Sequence, residues 1–192
     1  MNLKGKLIGL FISIGLVPFL LIGIYSYTKA STSLIEQEHN QLISIREIKK
    51  AHVEFMFNET MRDIRQMGKS GDVIVLLDAL EAYEKSVDIK PDGPYNTRAP
   101  GYKNILESYQ ARRLMDKVKA YGYHDVFIIG KKHGHVMFST AGEKDRGTNL
   151  ANGPYKNTHL ADLWKRVRDT GNLAIEDFKP YPPSGNKPAL FV

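Results

Sequence analysis

An uncharged stretch of 22 residues, Leu7 to Thr28, places the strongest constraint on how this chain folds. At a helical rise of about 1.5 Å per residue it spans about 33 Å, enough to cross the hydrocarbon core of a bilayer. Tyr25 and Tyr27 stand near its end, where aromatic rings favour the membrane interface. Pro18 lies inside it, and a membrane helix tolerates such a residue as a kink. The stretch therefore predicts a transmembrane anchor.

A cleaved secretory signal is the alternative interpretation of the same stretch. Lys4 and Lys6 suit its charged start, and Thr28-Lys29-Ala30 is a weak cleavage site. The apolar region of a signal peptide usually spans only about 7–15 residues, so the length favours an uncleaved anchor. Long domains translocate largely regardless of charge. We expect residues 1–6 to form a cytoplasmic stub, residues 7–28 to span the plasma membrane and the remainder to lie outside the cytoplasm.

The composition narrows the classes of function. The 192 residues contain no cysteine, which excludes disulfides and thiolate chemistry, and the net charge is +6. The basic residues are interleaved with acidic ones and form no stripe, so we expect no nucleic-acid partner. The chain stops in an apolar run, Ala189–Val192, with strand propensity. A strand of that kind needs a neighbour, and we expect this chain to be a fragment of a longer protein.

After the anchor, residues 31–67 lack glycine and proline and repeat apolar residues at helical spacing. The pattern predicts a helix of about 55 Å that continues from the membrane. Its apolar face is best interpreted as core packing, with a homodimer seam as a second use of the same face. Further helices are predicted at 72–85, with Asp72 as a possible cap, and at 102–121, with Tyr109 among the inward-facing residues and Gly122 as the C-cap.

The period then changes to that of strands. Residues 125–129 and 135–140 predict a hairpin, and residues 173–178 and 189–192 predict two further strands. Between them an amphipathic helix begins at Asn157 or Thr158 and ends at Gly171. The whole predicts an α+β fold with an antiparallel sheet and packed helices. We divide it into a helical stalk with the helices of the domain, 29–121, and an incomplete sheet module, 122–192.

Five segments of the chain together carry a resemblance to a known family: Ile45–Lys50, Tyr121–Ile129, Gly147–Leu150, Gly153–Lys156 and Asp177–Gly185. They resemble the methyl-accepting chemotaxis proteins and their Cache sensor modules. The similarity extends over about residues 1–192 and is strongest in 121–192. The resemblance implies a PAS-like antiparallel sheet carried on a long helix, often in two stacked modules, of which this would be the membrane-distal one. The amino-acid-binding subgroup carries an Arg-x-Trp-Tyr run, and this chain departs from it at Asn152–Tyr155. Pro183 also stands where the acid of that subgroup could lie. The resemblance therefore implies a sensor role and leaves the ligand open.

A pocket in such a module would be lined by aromatic side chains with a few polar groups. The candidate ligand-binding residues are Phe138, Tyr155, Trp164, Asp177 and Tyr181. Trp164 lies on the apolar face of its helix, where a core role is the stronger interpretation. Asp177 fits a position facing either the pocket or water.

Catalytic and metal-binding motifs are absent from the sequence. His133 and His135 supply at most two ligands in a hairpin turn, so a solvated turn is the default interpretation. His124-Asp125 resembles half of a triad, but no nucleophile elbow accompanies it. There is no P-loop, dinucleotide fingerprint or zincin motif. We therefore expect a protein that is not an enzyme and has no cofactor and no metal.

The leading hypothesis is the extracytoplasmic sensor portion of a transmembrane chemoreceptor. It would bind a small molecule and transmit a conformational signal to cytoplasmic partners through a region beyond these residues, to control chemotaxis. The same ectodomain would also suit a sensor histidine kinase or a cyclic-nucleotide signalling enzyme. A third class is an anchored small-molecule-binding protein.

Overall fold

The computed structural model describes residues 3–192 and has an α+β fold, which confirms the predicted class. Of the predicted cytoplasmic stub, residues 1–6, positions 1 and 2 lie outside the described residues. There are five α-helices, four strands and one 3₁₀ turn in the described part of the chain: α1 (Leu3–Gly68), α2 (Gly71–Ser86), α3 (Pro100–Leu106), α4 (Tyr109–Tyr121), β1 (Phe127–Ile129), β2 (Val136–Ser139), α5 (His159–Thr170), β3 (Glu176–Tyr181), the 3₁₀ turn Pro182–Ser184, and β4 (Lys187–Phe191).

The chain divides into two compact units, Met1–Phe57 and Asn58–Val192. The described part of the first unit is the larger portion of α1, which is long and apolar enough to span a membrane. The apolar side chains that follow the anchor are exposed in this chain: Leu34, Ile35, Leu42, Ile45, Ile48, Phe55 and Met56. The expectation that this face packs into a core is therefore wrong for residues 34–56. It is right only near the end of α1, where Ile64 and Met67 enter a core.

The helices of the second unit differ from the prediction at two points. Ser70, rather than Asp72, is the N-cap of α2. The single helix predicted at 102–121 is two helices. The first, α3, ends at Leu106, and Ser108 caps the second, α4, by accepting a hydrogen bond from the Ala111 amide. Tyr109, predicted to face inward, is 64% exposed at this new start. Gly122 is the left-handed C-cap of α4, as predicted.

The strands form two separate two-stranded antiparallel sheets within the described residues, so the expectation of one sheet is wrong. In the first, β1 pairs with β2 with Phe127 opposite Ser139. In the second, β3 pairs with β4 and lies three residues further along than predicted. Pro180 stands opposite Pro188 in that ladder. A two-stranded ribbon tolerates this pair because both strands are edges, where a missing N–H leaves no ladder bond unmade.

Two hydrophobic cores hold the second unit together. The first is formed by the end of α1, by α2, α3 and α4, and by β1 and β2. Its buried residues are Met67, Leu76, Leu80, Tyr83, Tyr95, Tyr102, Ala111, Leu114, Val118, Ile128, Met137 and Phe138. The second lies under α5 and contains Val136, Leu150, Leu160, Ala161, Trp164 and Tyr181. All four residues of β2 are buried; Val136 belongs to the second core, and Met137 and Phe138 belong to the first. Strand β2 is therefore the wall that the cores have in common.

Candidate functional site

The five side chains predicted to line a ligand pocket do not meet at one place. Phe138 lies in the first core, and Asp177 is exposed on β3. Tyr155, Trp164 and Tyr181 come together in the second core. The core interpretation of Trp164 is therefore confirmed, and Asp177 faces water. That these five residues bind a ligand stays a prediction.

Trp164 fastens the β1–β2 turn onto α5. Its indole Nε1 donates a hydrogen bond of 3.2 Å to the carbonyl of Gly130. Gly134 in the same turn has φ +79°, and a Cβ there would lie 2.9 Å from Cη2 of Trp164. Only glycine allows both this backbone conformation and this close approach. The turn is thus held in a fixed position beside the indole.

His135 joins the β1–β2 hairpin to α2 from a fully buried position, with 0% exposure. Its Nδ1 lies 2.7 Å from Oε1 of Glu84, and its Nε2 lies 3.1 Å from the carbonyl oxygen of Gly93. A carbonyl can only accept, so Nε2 must carry a proton, and the contact with Glu84 needs a second proton on either partner. The pair therefore holds two protons in this geometry. The interpretation of this region as a solvated turn is wrong for His135.

Asn149 is hydrogen-bonded to the segment of residues 91–93, whose Gly93 carbonyl also contacts His135. Its Nδ2 donates to the carbonyl of Pro91 at 3.0 Å, and its Oδ1 accepts from the amides of Ala151 and Asn152. Residues His135 and Asn149 also form an antiparallel bridge with each other. The Nδ2 of Asn149 thus fixes the chain at residues 91–93, and its Oδ1 fixes the turn at residues 151–152.

A cavity of about 140 Å³ opens beside His135. At about 30 Å³ per molecule, that is the liquid volume of about five waters. Its lining comes from α2 and from the hairpin turn: Glu81, Glu84, Gly130, Lys131, Lys132, His133, His135 and Met137. Acidic side chains lie on the α2 side and basic ones on the turn side. Such a lining suits a small polar molecule that carries charge.

A second polar centre surrounds Asp145, which is fully buried with 0% exposure. Its Oδ2 accepts a hydrogen bond of 2.7 Å from the Tyr181 hydroxyl. Its Oδ1 is buried and has no hydrogen-bond partner among residues 3–192. Burial raises the pKa of Asp145, and Asp125 and Glu143 raise it further by charge repulsion, while the Tyr181 hydrogen bond lowers it. Burial also raises the pKa of Tyr181, and the bond to Asp145 adds to that effect.

The two carboxylates near Asp145 are already supplied with donors. Asp125 accepts from the Ser139 and Thr140 hydroxyls at 2.6 and 2.7 Å and from the Ala141 amide. Glu143 accepts from the Ser184 hydroxyl and lies 3.2 Å from Nε2 of His124. Hydrogen bonds from Ser184 and His124 outweigh desolvation and lower the pKa of Glu143. Serine and histidine thus share a carboxylate here and do not bond to each other, which is not the geometry of a nucleophile and its base.

In the part of the chain that the structure describes, no group of three or more His, Cys, Asp or Glu side chains is placed to hold a metal ion. The ring centroids of His133 and His135 are 5.9 Å apart, and both nitrogens of His135 are engaged as described.

Sequence reasoning missed Glu84, His135, Asn149 and Asp145 as the polar centres of the second unit. Glu84 and His135 are 51 positions apart, and Asp145 and Tyr181 are 36 apart. Their pairing depends on tertiary packing that a local pattern does not encode. One signal was present, because His135 directly precedes the apolar run of β2 and so enters the core with it.

Comparison with known proteins gives no matching family model, no matching curated protein and no matching solved structure.

Proposed function

We propose that this chain is the extracytoplasmic ligand-sensing portion of a transmembrane chemoreceptor. It binds a small molecule and transmits a conformational signal across the membrane to cytoplasmic partners that control chemotaxis. The observation that carries the proposal is α1, a single helix that contains the apolar span and runs without a break to Gly68. Its last turns supply Ile64 and Met67 to the first core. A displacement of that core would therefore act directly on the helix that enters the membrane.

The cavity beside His135 supports the ligand-binding part of the proposal. It lies between α2 and the β1–β2 hairpin; α2 and the two strands of that hairpin also contribute to the first core. A molecule that enters it would change the spacing between acidic and basic side chains on opposite walls. If the second unit has two arrangements that differ in this spacing, the ligand can shift the free energy between them by no more than the difference between its binding free energies to the two.

The exposed apolar face of α1 supports a homodimer. Leu42 and Ile45 are 65% and 42% exposed, and apolar residues recur at helical spacing on both sides of them. A second copy of the same helix would cover this face, in the manner of a coiled-coil seam. Two anchored helices in one membrane meet at high effective concentration, which favours such pairing.

A thermal-shift screen of the full-length chain in lipid nanodiscs tests the sensor proposal. Trp164 is the single tryptophan of the sequence, so its fluorescence reports the second unit alone. We expect at least one class of small polar molecules to raise the melting temperature, since a ligand at 100 times its Kd adds about 2.7 kcal/mol to stability. No stabilising compound in a broad panel of metabolites would favour an anchored protein without a sensor role.

Variants then locate the site and test the link to the membrane. Tyr155→Ala and Tyr181→Phe should weaken binding if the sequence-predicted aromatic residues line the pocket, whereas Glu81→Ala and Lys132→Ala should weaken it if the cavity does. A Gly-Gly-Ser insertion after Thr32 should leave binding unchanged and abolish the signalling response of cells. A signal that survives the insertion would refute transmission through α1.

A further inference from the structure

The Asp145 carboxylate is placed where a negative charge is poorly supported. The residue is fully buried, and its Oδ2 accepts a hydrogen bond from the Tyr181 hydroxyl. No donor reaches Oδ1 from anywhere in the described residues. An ionised carboxylate normally accepts several hydrogen bonds, and burying one without them is costly.

The charges around Asp145 add to this cost. Asp125, which precedes β1, and Glu143, in the same loop, both repel a negative charge on Asp145. Glu143 is itself held ionised by Ser184, His124 and Lys187, so its repulsion persists at neutral pH. Two hydrogen bonds favour the ionised form, the larger from the hydroxyl of Tyr181 on β3 and the smaller from the backbone amide of Asp145 itself, and burial outweighs them.

We propose that Asp145 is a proton-binding site that holds the loop of residues 141–149 against β3 when protonated and loosens it when ionised. A proton on Oδ1 removes the charge and leaves the bond from Tyr181 to Oδ2 in place. Ionisation favours arrangements in which Oδ1 reaches water, and these require the loop to move away from Tyr181. The ligand of this site is the proton, and the inference holds whether or not the chain is a chemoreceptor.

The loop is connected so that its loosening would reach both sheets. Its Gly147 amide donates to the carbonyl of Val136 on β2, and the Gly147 carbonyl accepts from the Tyr95 amide. Its Glu143 carboxylate accepts from Ser184, which follows β3. The loop therefore bridges β2 and the β3–β4 hairpin, and Asp145 lies at the centre of that bridge.

The sign of the pH dependence follows from linkage. The folded-state pKa of Asp145 is raised above its unfolded value, so its contribution to stability is fully present below the unfolded pKa and is lost as pH rises through the folded pKa. Between those two values, the unfolding equilibrium constant of wild type should rise by up to about tenfold per pH unit from this group. Asp145→Asn carries no charge at any pH, so the same contribution should be absent from its profile.

The test measures unfolding of the full-length chain in nanodiscs between pH 4 and 8, followed by Trp164 fluorescence. We expect the ratio of the wild-type to the Asp145→Asn unfolding constant to rise with pH, by at least tenfold over the range. Asp177→Asn is the matched control, because it removes the same charge from an exposed position. It should follow the wild-type profile. Parallel profiles for wild type and Asp145→Asn would overturn the proposal.

Two further measurements keep the test decisive if Asp145→Asn does not fold. Infrared difference spectra of wild type should show the carbonyl band of a buried, protonated carboxylic acid that disappears as pH rises. Tyr181→Phe removes the side-chain donor to Oδ2 of Asp145, which lowers the pKa of Asp145, and should move that transition to higher pH. A spectrum without such a band at pH 4 to 8 would show that Asp145 is ionised like a surface carboxylate, and a transition unchanged by Tyr181→Phe would show that the band belongs to another group. Either result would overturn the proposal.

Discussion

Replacing Glu84 tests the buried contact between α2 and the β1–β2 hairpin. His135 has a side chain 1% exposed, and Glu84 one 22% exposed, so removing Glu84 takes away a hydrogen-bond partner of a buried imidazole. Leaving a buried donor unsatisfied costs about 1–3 kcal/mol. We therefore expect Glu84→Ala to lower the free energy of unfolding of the second unit by about 1–3 kcal/mol.

Glu84→Gln separates the hydrogen bond from the charge. The Gln amide can donate to Nδ1 while Nε2–H of a neutral imidazole donates to Gly93, so both contacts of His135 survive. The expected loss is less than about 1 kcal/mol. Glu81→Ala is the matched control, since Glu81 is exposed, lies one turn away on α2 and lines the same cavity. It should stay within about 0.5 kcal/mol of wild type.

Urea unfolding of the full-length chain in nanodiscs, read from Trp164 fluorescence, measures all three variants. The slope of the free energy against urea should not change, because the buried surface is the same. A Glu84→Ala variant within about 0.5 kcal/mol of wild type would refute the role assigned to the pair. A Glu84→Gln variant as unstable as Glu84→Ala would show that the charge of the pair, and not the hydrogen bond alone, is required.

Three further predictions concern other parts of the chain. Gly134→Ala should lower the free energy of unfolding of the second unit by about 2 kcal/mol or more, because the new Cβ is strained by the left-handed backbone and also contacts Trp164. Gly185→Ala, at φ +69° but with open space around it, should lower that free energy by only about 1–2 kcal/mol. Urea unfolding measures both variants. Thr158→Ala should cost about 0.5–2 kcal/mol by removing the N-cap of α5, and Thr158→Ser should restore most of it. Ile45→Cys should form a disulfide between copies in membranes on mild oxidation, and Glu36→Cys, nine residues away and so about 180° around the helix, should not; equal cross-linking of the two would contradict the seam.

Local signals in the sequence predicted the elements whose ends are set by single residues. Gly122 and Gly171 end α4 and α5 in the left-handed conformation, and Thr158 caps α5. The β1–β2 hairpin follows from an apolar run, a glycine-rich turn and a second apolar run. In each case the physical cause lies within a few residues of its effect, which is why sequence alone is sufficient.

The sequence was a poorer guide where two competing local signals coexist. Ser108 divides the predicted third helix because its hydroxyl satisfies the Ala111 amide, yet no glycine or proline marks the break. Pro180 lies beyond the strand predicted at 173–178, but it is part of β3, opposite Pro188. Predicting that pair would require knowing that the second sheet has only two strands.

The candidate site was the least predictable part of the chain. Aromatic side chains were selected as pocket walls, and Trp164 and Tyr181 instead fill a core, where their polar atoms bond to Gly130 and Asp145. A buried Trp or Tyr finds a hydrogen-bond partner in either setting, so residue type does not separate the two roles. The burial and the hydrogen-bond partners of each side chain do separate the two roles, and both are set by the tertiary fold.

The arrangement around β2 explains how a change at either polar centre could reach the rest of the second unit. Val136 belongs to the second core, while Met137 and Phe138 belong to the first. His135 precedes β2 and lines the cavity, and Gly147, two residues from Asp145, donates to the Val136 carbonyl. Close-packed cores do not deform continuously, so a shift of this one strand must be accommodated on both of its faces. A ligand beside His135 and a proton on Asp145 would thus act on the same strand, and each would alter the affinity for the other by the same factor.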